Sequence, residues 1–451
     1  MKPFEEVYNC DSITINVTNK CNLNCKYCFE HSKNAGIMDS KTAIDILDKS
    51  YKDIPKAIGT FTVNIFGGEP LLNWNCIKDL IDYSNEKKYN VKFGITTNLT
   101  ILTDEMIRYF DDNEVMLLVS IDGLKKVHDK NRCNSYDIVK NNINKLIRKN
   151  LALFIEARMT ILPEDIDYAF DGVKELIDMG INNICPMMVT DVEWDDEHIS
   201  KLRDHYYKLL DYYASILNDR RIKRNISIKN TDDVMVNVMS PDIDDPIMCP
   251  VGGTRWCAFD TNGDVYSCHQ GPTSEEPFKS ALKLGNIYTG INDALISYSP
   301  IYARYDKKEC KSCFGKSICK GGCPTENMRL TGVIDQPTDS YCKIQNSLVD
   351  AVLAFDDKII SAKNIRNRRL NILIENIKIR NYTNIIFNST DLSNKVETYV
   401  RISHLKEMIE NLGYANMLPT FKQYVDDKLS VITAYLMEEA HMSLEDVNKK
   451  L

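Results

Sequence analysis

The sequence predicts an α/β protein built on a partial (β/α)6 TIM-like barrel, six strand–helix units rather than the eight of a closed barrel. Three observations predict it. Between residues 12 and 189 lie six short candidate strands, of which 12–17, 61–66 and 91–96 alternate apolar and polar residues with the period of a strand. Patterns with helical spacing separate them. The chemically unusual residues fall at the carboxyl ends of these strands, where the sites of such barrels gather.

The strands are expected at 12–17, 61–66, 91–96, 115–121, 153–160 and 183–189. A helix at 40–51 opens on a capping Ser40 or Asp39. Another, at 165–179, stops at Gly180. Residues 195–220 carry Ile199, Leu202, Tyr206, Leu209, Tyr213 and Ile216 on one helical face and lead out of the barrel, and 240–246 is a loop rich in helix breakers and acids. Helices follow at 398–412 and 421–438. Before them, 366–380 mixes basic and apolar residues, as a solvated amphipathic surface or a binding arm would.

The chain has 451 residues, enough for two or three domains. Its 56 basic and 64 acidic residues give a net charge of −8, so no global electrostatic attraction to nucleic acid or anionic membrane is expected. The N-terminus lacks the apolar core of a signal peptide, and no apolar run is long enough to span a bilayer. A cytoplasmic location is expected. Fifteen cysteines in that compartment point to metal rather than to disulfides.

The cysteines are grouped. Cys21, Cys25 and Cys28, spaced C-x3-C-x2-C, follow the first strand. Thiolates this close can wrap one corner of a [4Fe–4S] cube, which normally takes four cysteines, so three leave one iron open. Structural zinc, closed and four-coordinate, suits three cysteines poorly. Gly67-Gly68-Glu69-Pro70 follows strand two, Thr97-Asn98 ends strand three, Ser120-Ile121-Asp122-Gly123 ends strand four, and Arg158 lies near the end of strand five. Shared position at one rim makes these features one pocket.

The cysteine triplet, with Tyr27 before its last member, resembles the radical S-adenosylmethionine (SAM) enzymes. The resemblance implies a partial barrel, a cluster on Cys21, Cys25 and Cys28, and SAM chelated to its open iron. It also implies that Gly67, Gly68, Glu69 and Pro70 serve the methionine part of SAM, Glu69 orienting its amino group, and that Thr97, Asn98, Ser120, Asp122 and Arg158 hold ribose hydroxyls and the carboxylate.

A second region runs Cys249-x13-Gly263-x4-Cys268, then Cys310-x2-Cys313-x5-Cys319-x3-Cys323, then Cys342. It resembles the seven-cysteine SPASM extension, which binds auxiliary [4Fe–4S] clusters; a zinc ribbon is the alternative for 310–323. The resemblance assigns Cys249, Cys268 and Cys323 to auxiliary cluster I, and Cys310, Cys313, Cys319 and Cys342 to auxiliary cluster II. Cluster I is then one ligand short. Cys257 is the candidate: a two-residue Asn262-Gly263 turn would pair Thr261 with Asp264 and, counting outward, Cys257 with Cys268. The alternative is a packed cysteine.

The expected division is 1–235 barrel, 236–345 SPASM region and 346–451 mostly helical extension. The expected cofactors are three [4Fe–4S] clusters and S-adenosyl-L-methionine. Anaerobic sulfatase maturases carry an aspartate after the second SPASM cysteine as catalytic base; here His269 stands there, able to accept a proton, which puts that activity in doubt. The segments Tyr266-Ser-Cys268-His269-Gln270 and Cys319-Lys-Gly-Gly-Cys323-Pro-Thr-Glu look like those of thioether-forming peptide maturases. A ribosomal precursor peptide is therefore the expected substrate, with a flavodoxin or ferredoxin as electron donor. Simple Ser/Cys oxidation and carbon–carbon crosslinking are the enzymatic alternatives, and an iron–sulfur electron carrier is the non-enzymatic one. No small leader-binding domain precedes Cys21, so leader recognition would fall to a separate protein or to residues 346–451.

Overall fold

The computed structural model describes residues 1–8, 10–30, 36–52, 60–219, 221, 222, 224, 226–239, 256–293, 310, 312, 313, 315, 319, 321–360, 430, 433 and 434. Cys249, the loop 240–246, the segment 366–380 and the helix expected at 398–412 lie outside the described residues, as does all but 430, 433 and 434 of the one at 421–438. The chain forms two compact units, Met1–Asp53 with Phe61–Ile359, and Ile54–Thr60 with Ile360–Leu451. The barrel strands and the described SPASM-like cysteines belong to the first.

In chain order the elements are α1 (Phe4–Val7), β1 (Ser12–Thr18), α2 (Ser40–Ser50), β2 (Phe61–Gly67), α3 (Trp74–Glu86), β3 (Val91–Thr97), α4 (Asp104–Asp112), β4 (Met116–Ser120), α5 (Lys125–Asn131), α6 (Tyr136–Arg148), β5 (Ile155–Ile161), α7 (Ala169–Asp178), β6 (Asn183–Met188), α8 (Asp196–Asn218), β7 (Ser227–Ile228) and α9 (Lys229–Met239). The second region adds β8 (Trp256–Phe259), β9 (Asp264–Tyr266), α10 (Phe278–Leu282), β10 (Lys283–Asn286), β11 (Gly290–Ile291), α11 (Pro324–Thr331) and α12 (Asp339–Ile360). Among the described residues one sheet holds these strands, in the order β11-β10-β9-β8-β1-β2-β3-β4-β5-β6-β7. Strands β1 to β7 run parallel, and β8 joins β1 in parallel, so the second cysteine region extends the barrel sheet.

Local chemistry sets the helix starts. Asp39 accepts from the Thr42 amide and caps α2, the side chain of Thr103 does so for α4 and Asp195 for α8, each cap worth about 1 kcal/mol. Strand five begins two residues later than expected, because Leu151–Phe154 forms a 3-10 turn. The helix expected at 165–179 likewise begins as a 3-10 turn, Pro163–Tyr168, before α7.

Side-chain alternation gives the sheet two faces. One buries Ile13, Ile15, Val17, Val63, Ile65, Ile95 and Val119, and the helices bury Ile46, Leu47, Ile77 and Leu80. Burying each such side chain contributes roughly 1.5–3 kcal/mol. On the other face the register aligns Thr14, Asn64, Gly94 and Met116 in one row, Thr96, Leu118 and Glu156 in the next, and Ser120, Arg158 and Cys185 above. This face lines a cavity of about 440 Å³, with Lys229, Asn230 and Asp233 contributed by α9.

The hairpin of the second region corrects the expected Cys257–Cys268 pairing. Ala258 lies opposite Tyr266 and Phe259 opposite Val265, one residue away from the expected register. The turn is longer than two residues. Gly263 donates its amide to the Asp260 carbonyl at 3.1 Å with φ of +81°, and the Asp260 carboxylate accepts from the Asn262 and Asp264 amides at 3.0 and 3.2 Å. A one-residue slip sends a side chain to the opposite face. Cys268 therefore packs with Trp256 and Ala258, while Cys257, fully buried, faces Cys10 and Tyr8. The pairing that made Cys257 a candidate ligand is absent.

Candidate active site

The cysteine loop leaves β1 and is held in place by its neighbours at the strand ends. Cys21, Cys25 and Cys28 are all half-buried, and the Cys28 amide donates to the Cys25 carbonyl at 3.3 Å. The three thiols act on one another. Burial pushes Cys25 up to about 11, Arg132 pulls it down, and Cys28 and Cys21 push it up.

The glycines Gly67 and Gly68 allow two loops to touch. The Gly68 amide donates to the Thr18 carbonyl at 2.9 Å, and the Glu69 amide to the Lys20 carbonyl at 2.8 Å. A Cβ on Gly67, whose φ is +133°, would stand 2.1 Å from the Thr18 oxygen, and one on Gly68 2.4 Å from the Lys20 oxygen. Both distances are impossible, so glycine is required for the cysteine loop to start where it does.

Glu69 turns inward. Its carboxylate, fully buried, accepts from the Thr97 hydroxyl at 2.7 Å, the Asn98 amide at 2.7 Å and the Leu71 amide at 3.1 Å. Burial raises its pKa to about 7 against these three donors. Pro70, also buried, starts the 3-10 turn that follows. The Asn98 amide group reaches the cysteine loop, 3.9 Å from the Cys21 sulfur and 2.9 Å from Asn22 Oδ1. Glu69, Thr97 and Asn98 therefore join the ends of β2 and β3 to the head of the loop.

Tyr27 and Asp122 also come together, around a residue the sequence did not single out. The Tyr27 hydroxyl donates to Asp122 Oδ2, which also accepts from Arg132 Nε at 3.0 Å. Asp122 Oδ1 accepts from the Thr160 amide at 3.0 Å, and Asp122 is fully buried. Ser120 and Arg158 lie apart from this group, on the cavity face. Arg158 Nη1 donates to the Cys185 sulfur at 3.1 Å. His269 is enclosed by aromatic rings, with centroids 5.3 Å from Phe66, 5.9 Å from Phe29 and 6.3 Å from Trp256. Burial lowers its pKa to about 4, so it is neutral at physiological pH and weakly basic.

In the second region the thiols of Cys319, Cys310 and Cys313 all act on Cys342, whose pKa burial pushes up to about 11. These are the four cysteines assigned to one auxiliary cluster. Cys268 lies against Thr325 and Glu326, in the first turn of α11, whose N-cap is Cys323. Among the described residues no three Cys, His, Asp or Glu side chains close around a single ion. The side chains brought together at each place are thiols, the donors that iron–sulfur clusters take.

Residues 15–177 match the model of the Radical SAM superfamily. The chain is 30% identical over 224 residues to the radical SAM cyclopropyl synthase TigE of Paramaledivibacter caminithermalis, covering 44% of this chain and 47% of that relative. The chain thus spans about half of TigE. It is 23% identical over 339 residues to the cysteine-type anaerobic sulfatase-maturating enzyme of Clostridium novyi, covering 68% of this chain and 85% of that enzyme. The structure of native anSMEcpe with bound AdoMet and Cp18Cys peptide superposes with a TM-score of 0.61 at 19% identity, over 81% of this chain and 99% of that one, a likeness of fold. The similarity to the Radical SAM superfamily thus lies in residues 15–177, with Cys21, Cys25 and Cys28 at their head.

Proposed function

We propose that the chain is a peptide maturase that makes an oxidative crosslink, a thioether from a cysteine sulfur to a carbon, in a ribosomal precursor peptide. The observation that carries the reading is the joining of the cysteine loop to the ends of β2 and β3 by Gly68, Glu69 and Asn98, in the same barrel as a cavity lined by both polar and apolar side chains. Cys21, Cys25 and Cys28 would hold a [4Fe–4S] cluster with SAM on its open iron; Cys310, Cys313, Cys319 and Cys342 would hold a second cluster, and Cys249, Cys268 and Cys323 a third. When bound, these groups supply a 5′-deoxyadenosyl radical for hydrogen abstraction and an acceptor for the electron released as the new bond closes.

The chain's own residues position and enclose. Glu69 and Asn98 fix the loop, and Arg158, Glu156 and Lys229 offer the cavity a charged wall, with Lys229 3.8 Å from Glu156. Phe29, Phe66 and His269 present an aromatic face next to the cysteine loop. An external flavodoxin or ferredoxin is the proposed electron donor, and a separate protein or residues 346–451 the leader contact.

The test is anaerobic incubation of reconstituted enzyme, SAM and reductant with a cysteine-containing precursor from the same locus. The product should lose two hydrogens and one alkylatable thiol. Loss of hydrogens with every thiol still alkylatable would exclude the thioether. It would favour a second reading, carbon–carbon bond formation, which the similarity to TigE supports.

A further inference from the structure

Arg132 follows α5 and is buried, with its side chain 8% exposed. Its Nε donates to Asp122 Oδ2 at 3.0 Å, Nη2 reaches the Thr160 hydroxyl at 3.4 Å, and the guanidinium lies 5.1 Å from the Tyr27 ring centroid. Its charge acts on the Cys25 thiol. The residues on either side grip the same loop. The Asn131 carbonyl accepts the Lys26 amide at 2.9 Å, and the Cys133 sulfur both accepts the Asn24 amide and donates to the Asn24 carbonyl at 3.3 Å. Residues 131–133 thus hold 24–27, the stretch that contains Cys25, by backbone and side chain together. The nearby Lys26 and Lys130 differ in kind, being 54% and 42% exposed and paired with Glu164 and Asp165.

We propose that Arg132 is a positioning residue whose buried charge, balanced by Asp122, sets the reduction potential of the cluster carried by Cys21, Cys25 and Cys28. A fixed cation in a water-poor site stabilises the extra negative charge that a reduced cluster and its thiolates carry, and burial limits screening by salt. Arginine suits the position because it stays charged when buried and lies flat over an aromatic ring. The inference rests on the radical SAM reading of the cysteine loop.

The test is a redox titration of the full, reconstituted chain followed by electron paramagnetic resonance. The signal that changes on adding SAM marks the N-terminal cluster, and the auxiliary signals serve as internal controls. Arg132→Met should lower the reduction equilibrium of that cluster at least tenfold, 59 mV for one electron. Asp122→Asn, nearly isosteric, removes the opposing charge and should raise it. Arg132→Lys should lie nearer the native value than Arg132→Met. A purely structural clamp would not give opposite signs. Shifts of the same sign, or unchanged potentials in both variants, would overturn the inference. Should Arg132→Met lose its cluster, Asp122→Asn decides alone: no upward shift overturns the inference. A native chain in which Cys21, Cys25 and Cys28 bind no iron would overturn the cluster reading as well, so the two failures are distinguishable.

Discussion

The Thr97 hydroxyl donates to the Glu69 carboxylate at 2.7 Å, entirely inside the protein, tying the end of β3 to the loop after β2. Two backbone amides complete the cage. Glu69→Gln places an amide NH2, which cannot accept, where one of the two oxygens takes these donors, and a buried donor left unsatisfied costs about 1–3 kcal/mol. Thermal unfolding should show the loss as a lowered Tm.

The pH dependence has a definite sign. The folded pKa of Glu69, about 7, stands above its ordinary 4.5, so the folded state holds the extra proton between these values. That contribution is fully present below pH 4.5 and is lost as pH rises toward 7, at up to about 1.4 kcal/mol per pH unit. The native protein should lose more Tm between pH 5.5 and 7 than Glu69→Gln does. Equal losses would show that Glu69 is ionised throughout.

Gly67→Ala and Gly68→Ala should each displace the cysteine loop, because the added carbon meets the Thr18 or Lys20 carbonyl at 2.1 or 2.4 Å. Iron should fall by about four atoms per chain while the auxiliary clusters remain. Gly94→Ala is the control: its nearest neighbour is Asn64 Oδ1 at 3.4 Å, an ordinary contact.

Cys257→Ala should leave the iron content unchanged and lower Tm modestly, by loss of packing against Cys10 and Tyr8. Cys342→Ala should instead remove about four irons and spare SAM cleavage. Iron analysis of the two variants side by side separates a packed thiol from a ligand.

Strand faces were legible because alternation reports which side chains share a side, as Ile13, Ile15 and Val17 do. Alternation does not report which strand lies next door. The parallel pairing of β8 with β1 joins Ile13 to Cys257 across most of the chain, and no local pattern encodes it. The hairpin register failed for a different reason. Asn262-Gly263 has the composition of a two-residue turn, but the Asp260 carboxylate captures two amides and lengthens the loop. At the site, glycines and cysteines stood out by type. Arg132 did not, since in Asp-Lys-Asn-Arg-Cys it resembles any surface cation until the fold buries it on Asp122. Asp122 and Glu69 were found by position but turn inward, each already occupied by donors of the chain.

The decisive measurement is 5′-deoxyadenosine release from SAM on anaerobic reduction, made on the native chain and on the chain with Cys21, Cys25 and Cys28 replaced together by alanine. The native protein should hold about twelve irons and release 5′-deoxyadenosine, and the variant should hold about eight and release none. Release that persists in the variant, or a fully loaded native chain that leaves SAM intact, would contradict a radical SAM site at the head of β1.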